Sequence, residues 1–178
     1  LRGLAQLEAG KAAAALMDFK AANTYPENLQ AGRPGDAGQA PKVHYYMAQA
    51  YRELGQPVQA EAELRRALEG RVADGEMNYY RILALRGVGG KPEREAAQAA
   101  GLRKAITELE KPLETYAYAK FGGENTPAER VTHRAAVAAY LKGLLALAEN
   151  RPEEAKACFG QALKERPDLL WARHFGGR

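Results

Sequence analysis

Residues Pro41-Lys42-Val43-His44-Tyr45-Tyr46-Met47-Ala48-Gln49-Ala50-Tyr51-Arg52-Glu53-Leu54-Gly55 decide the fold, together with their continuation Gln56-Pro57-Val58-Gln59-Ala60-Glu61-Ala62-Glu63-Leu64-Arg65-Arg66-Ala67-Leu68. They read as two helices joined by a tight turn. Gly55 ends the first in a conformation that only glycine adopts cheaply. Ala48 and Ala60 are small where the two helices cross, and larger side chains would push the axes apart. Tyr51, Leu64 and Ala67 fill a layer against the next helix pair. One such hairpin cannot bury its apolar face alone, so neighbours must stack on it.

Composition points the same way. Alanine supplies many of the apolar positions while valine and isoleucine are scarce, which argues against sheet and suits close-packed helices. Proline and glycine fall between the periodic stretches. The 178 residues suffice for one domain or one run of repeats, burying roughly 70% of the unfolded surface without a disulfide or metal. The net charge of +4 is spread thinly, with the first 70 residues balanced. A nucleic-acid binder would gather its basic residues on one face or tail, so nucleic acid is not an expected partner. No apolar run approaches the roughly 18 residues of a membrane span. The chain opens on Leu1 without a signal-like segment, and we expect a piece of something longer.

The pattern recurs. Leu1-Arg2-Gly3-Leu4-Ala5-Gln6-Leu7 aligns with Leu141-Lys142-Gly143-Leu144-Leu145-Ala146-Leu147, and the match continues through Ala15 with Ala155, Phe19 with Phe159 and Ala22 with Ala162. His44-Tyr45-Tyr46 falls on Asn78-Tyr79-Tyr80, Arg52 on Arg86 and Gly55 on Gly89. The turn residues Gly10, Gly55, Gly89 and Asn150 mark four units, about 1–26, 41–70, 75–120 and 126–167, with a covering helix over 168–175. Glu27–Ala40 reads as an exposed loop. The third unit departs furthest: its second helix starts near Pro92, runs past Leu102, Ile106 and Leu109 and bends at Pro112. Phe121–Asn125 is then a loop, with Thr126 as N-cap and Pro127 at the first helical position.

The unit beginning at Pro41 resembles the tetratricopeptide repeat, a 34-residue helix–turn–helix. Met47, Ala48, Tyr51, Gly55, Ala60, Leu64 and Ala67 fill the family's pattern, and His44 stands where the family has tryptophan. The resemblance implies an all-α fold, an α-solenoid of antiparallel helix pairs winding as a right-handed superhelix, in a single domain. It implies a longer bacterial parent. The stretch from Glu76-Met77-Asn78-Tyr79-Tyr80 onward is also similar to the C-terminal repeat region of large bacterial proteins whose N-terminal parts resemble sugar-binding β-sandwich domains.

No catalytic constellation stands out. His44, His133 and His174 have no i,i+4 spacing and no cysteine partners, so a zinc site is not expected, and His44 reads as a core histidine. Cys158 lacks the neighbouring histidine or Cys-x-x-Cys spacing of a nucleophile. Gly87-Val88-Gly89-Gly90-Lys91 lacks the strand and the Gly-Lys-Ser/Thr ending of a phosphate loop, and helix-ending glycines explain it. Acidic pairs such as Glu153-Glu154 sit at first turns, where they favour the helix dipole. We expect no cofactor and no enzymatic activity in these residues.

In the family the concave face, lined by first helices, commonly holds a peptide or a partner's helix. The positions that the resemblance turns into the groove are Tyr45, Gln49, Arg52, Tyr79, Arg86 and Tyr140, and they fall on single helical stripes. The Lys and Asn of the family's carboxylate clamp are replaced here by Tyr45 and Gln49. The expected function is a non-catalytic interaction or scaffolding module for a protein or peptide. The alternative is the accessory tail of a carbohydrate-active enzyme-like protein, where the tyrosines would carry a sugar chain. The tyrosines can equally pack between neighbouring first helices. An apolar edge at Leu1, Leu4 and Leu7 predicts self-association.

Overall fold

The computed structural model describes residues 1–23, 40–70, 75–112 and 127–177, and among these every regular element is a helix. In order they are α1 (Arg2–Glu8), α2 (Ala12–Ala22), α3 (Ala40–Glu53), α4 (Pro57–Arg66), α5 (Gly75–Gly87), α6 (Pro92–Glu110), α7 (Pro127–Ala148), α8 (Pro152–Glu165) and α9 (Leu170–Gly176). They form two compact units, Leu1–Gln98 and Ala99–Arg178. The expected loop over Glu27–Ala40 lies outside the described residues except for Ala40, which opens α3. The Phe121–Asn125 loop and the Thr126 cap lie outside them as well, while α6 and α7 begin at the expected prolines.

The hairpin turns explain themselves. Gly10, Gly55 and Gly89 have φ of 71°, 69° and 68°, and Asn150, the one non-glycine residue with positive φ among those described, has 58°. At each turn the backbone makes the same two bonds. The Gly55 N–H donates to the Arg52 carbonyl and the Gln56 N–H to the Tyr51 carbonyl, at 3.0 and 2.9 Å. Lys11, Gly90 and Arg151 repeat the second bond to Gln6, Leu85 and Ala146. This is the Schellman ending, in which a left-handed residue lets the last helical carbonyls find donors while the chain turns back. Asparagine substitutes for glycine at the fourth turn because its short polar side chain tolerates that conformation.

Within the first unit α1 packs on α2, α2 on α3, and α3 on both α4 and α5, which also touch each other. Ala48, Ala60, Leu64, Ala67 and Ala84 form a buried cluster, with Tyr45, Tyr51, Leu68 and Val88 against it. Leu4 is buried and Leu7 half-buried, so of the expected apolar edge only Leu1 is exposed. Within the second unit α7 packs on α8 and α8 on α9, the covering helix expected after Pro167.

The matched ends of the sequence build matched joints. A Cβ on Gly3 would come within 2.7 Å of the Phe19 ring, and one on Gly143 would run into the Phe159 ring. Each phenylalanine lies on a glycine one helix away, so the ring fills the space that a side chain would take. We expect Gly143→Ala to cost about 1–3 kcal/mol through overpacking, read as a lower unfolding midpoint in urea. An unchanged midpoint would show that the ring can move aside.

Candidate functional site

The candidate residues of the first helices divide by environment. Tyr79 is 6% and Tyr140 4% exposed, whereas Tyr45 and Gln49 are half-buried and Arg52 and Arg86 lie at the surface. Tyr79, Tyr45 and their neighbours form a chain of rings. Tyr46 and Tyr80, 34 residues apart, meet edge to face at 5.6 Å with their hydroxyls 3.4 Å apart. Phe19 stacks on Tyr46 at 5.7 Å, Tyr45 meets Tyr80 at 5.9 Å, and Tyr79 meets Tyr80 at 5.3 Å. In the second unit Tyr140 packs against Phe159 at 6.0 Å and Phe175 at 6.4 Å. Rings at these separations give each other edge-to-face and offset contacts. Tyr140 therefore packs between α7, α8 and α9, and Tyr79 is buried beside Tyr80 on α5, so neither ring faces an open groove.

The two arginines are engaged within the first unit. Arg52 Nη2 donates to the Gly87 carbonyl at 3.4 Å, and Arg86 Nε pairs with Glu95 at 2.8 Å. Of the six candidates in the sequence, Tyr45 and Gln49 on α3 and the two surface arginines keep area that a partner could reach.

Several charged residues take roles that periodicity does not reveal. Lys42, only 4% exposed at its side chain, pairs with Glu76 at 2.7 Å and lies 5.5 Å from the Tyr80 ring centre. The buried Glu63 accepts from His44 Nδ1 at 2.6 Å and from Arg66 at 2.5 Å. His44 is thus a packed histidine with a carboxylate partner. Arg81 donates to the carbonyls of Leu68, Glu69 and Gly70 at 2.9, 2.6 and 2.7 Å, and to that of Ala67 at 3.4 Å. One planar guanidinium so satisfies the chain leaving α4, where carbonyls have lost their helical donors. Burial, and secondly the charge of Arg94, pulls the Arg81 guanidinium below the ordinary arginine value.

The second unit carries an open cleft of about 710 Å³. Ala135, Ala138 and Ala139 of α7 and Ala157 and Cys158 of α8 line it, closed at one end by Leu109–Pro112. Arg134 and Lys142 rise on the α7 side, Glu154 and Glu165 on the α8 side. Burial, then the nearby Glu154 charge, raises the Cys158 thiol above its usual value, opposite to an activated nucleophile. Among the described residues no group of three His, Cys, Asp or Glu could hold a metal ion, and no helix is long and apolar enough to cross a membrane.

Residues 136–169 match the family model of the tetratricopeptide repeat. The matched stretch comprises the greater part of α7, the Asn150 turn, α8 and the start of the joint to α9, and the all-helical fold of the described residues agrees with a helical-repeat protein of this kind. No curated protein and no solved structure matches the chain.

Two substitutions separate packing from surface. Tyr79→Ala should lower stability by about 3–5 kcal/mol, the range for emptying a buried aromatic site, while Gln49→Ala should stay within about 0.5 kcal/mol. Thermal unfolding checks both, and an unaffected Tyr79 variant would reject the packing role. Arg81→Met should cost about 1–3 kcal/mol because the carbonyls leaving α4, two of them part-buried, lose their donor, and Arg81→Lys should recover less than half, lacking the fork. A methionine variant with the wild-type urea midpoint would mean that water serves those carbonyls equally well.

Proposed function

We propose that the chain is a non-catalytic module that takes up a segment of a partner protein, with the cleft of the second unit as the seat. At the coarse level a tetratricopeptide repeat is a protein–protein interaction module, and both helices of the stretch that matches the family contribute to the lining of the cleft, beside Leu109–Pro112 and the start of α7. That coincidence is the observation that carries the reading. The cleft has the size of sites that bury small ligands or a few side chains.

Its chemistry suits a helix. Val131, Ala135, Ala138 and Lys142 recur along one face of α7, and Glu154, Ala157, Cys158, Gln161 and Glu165 along one face of α8. Alanine floors let a partner backbone come close, as small residues do wherever helices cross tightly. The charges at its sides are engaged in place, Lys142 with Glu110 at 2.5 Å, Glu154 with Arg151, and Arg134 with the Glu108 and Lys111 carbonyls, so a partner segment is recognised chiefly by its apolar side chains. Binding would then be dominated by a few of these reaching the floor.

Ala157 is exposed on α8. Replacing it with glutamate should leave folding within about 0.5 kcal/mol of wild type while filling the floor of the cleft with a carboxylate. Partners cross-linked to a photoreactive group at Gln161 should be recovered with the wild-type chain and lost with Ala157→Glu. Recovery of the same cross-linked species from both chains would place the partner elsewhere and reject this seat.

A further inference from the structure

The first helices of the second and third units share a third of their residues in register, the paired tyrosines among them, and this poses a problem of recognition. Over residues 41–55 and 75–89, Tyr45, Tyr46, Ala50, Arg52 and Gly55 recur as Tyr79, Tyr80, Ala84, Arg86 and Gly89. A helix whose tyrosines pack on the matching tyrosines of the next unit is chemically suited to meet the same tyrosines of a second molecule. Across those fifteen matched positions one charge changes sign: Lys42 on α3 becomes Glu76 on α5. These are also the two residues that meet, at 2.7 Å, with side chains 4% and 13% exposed, and with the ammonium beside the Tyr80 ring.

We propose that the Lys42–Glu76 pair selects which repeat stacks on which, admitting α5 onto α3 and rejecting like on like. An α3 laid on the α3 of another molecule would bring two lysines together away from water, and α5 on α5 would bring two glutamates. Like charges in a site of low polarity repel strongly, whereas the ordered pair is compensated. The pair adds little net stability, because a buried ion pair loses in desolvation much of what it gains in attraction. Its contribution is to make one stacking order cheaper than the others. The surrounding tyrosines cannot do this, since they are the same on both helices.

The test uses the full chain and compares masses by light scattering across a hundredfold concentration range, with urea unfolding alongside. K42M/E76L replaces the pair by apolar side chains of similar length and removes the sign. It should unfold cooperatively near the wild-type midpoint yet form dimers at concentrations about tenfold lower than wild type, a tenfold shift in dimer dissociation. K42E/E76K exchanges the signs and keeps the complementarity, so its mass profile should follow wild type. A K42M/E76L chain as monodisperse as wild type would overturn the proposal. So would a K42E/E76K chain that associates like the apolar variant. Failure of K42M/E76L to fold would overturn it too, because the pair would then supply stability rather than selection.

Discussion

Everything in this fold follows from a backbone that must reverse immediately after each first helix. Four turns do this with one residue at φ between 58° and 71° and the same pair of backbone bonds. Without that residue the helix would continue or the carbonyls of its last turn would be left without donors. With it, α2, α4 and α8 pack back on the helices before them, and only then do Ala48 and Ala60 come to lie in one buried cluster. Small residues at the crossings are a consequence of the turn's tightness. The rings of Phe19 and Phe159, set over glycines, are the complementary solution where a gap would otherwise remain.

Much of this was legible in the sequence, because turns and crossings constrain residue type strongly. Gly10, Gly55, Gly89 and Asn150 mark the left-handed positions, and Pro92, Pro127 and Pro152 open helices where a missing N–H costs nothing. The aromatic positions were legible as positions but not as environments. A tyrosine on the inner stripe of a first helix can face a groove or a neighbouring helix, and periodicity is the same in both cases. What decides is burial and, for Tyr140, the Phe159 ring that stands opposite, which comes from another helix.

The charged joints were not legible. A lysine or glutamate on a helix reads as solvated, since these side chains are almost never buried unless paired. Lys42, Glu63, Glu76 and Arg81 are the exceptions, and each is explained by a partner that only the packing supplies. The offset of 34 contained a trace of one of them, because Lys42 and Glu76 occupy the same place in consecutive units with opposite sign. A change of sign between otherwise matched repeats is a signal that periodicity alone discards.

Repeated architecture creates a tension between cohesion and selectivity. The rings of Tyr45, Tyr46, Tyr79 and Tyr80 cohere because edge-to-face contacts tolerate many arrangements. That tolerance makes them poor at telling one neighbour from another. Charges behave in the opposite way: they add little to cohesion, yet the wrong pairing is costly once water is excluded. The same division holds on the proposed seat in the second unit, whose lining combines alanines with charged groups such as the Lys142–Glu110 pair. Under that reading, affinity for a partner follows how well its apolar side chains meet the floor. Orientation follows those charged groups, and changes in salt should therefore alter which way a segment lies more than whether it binds.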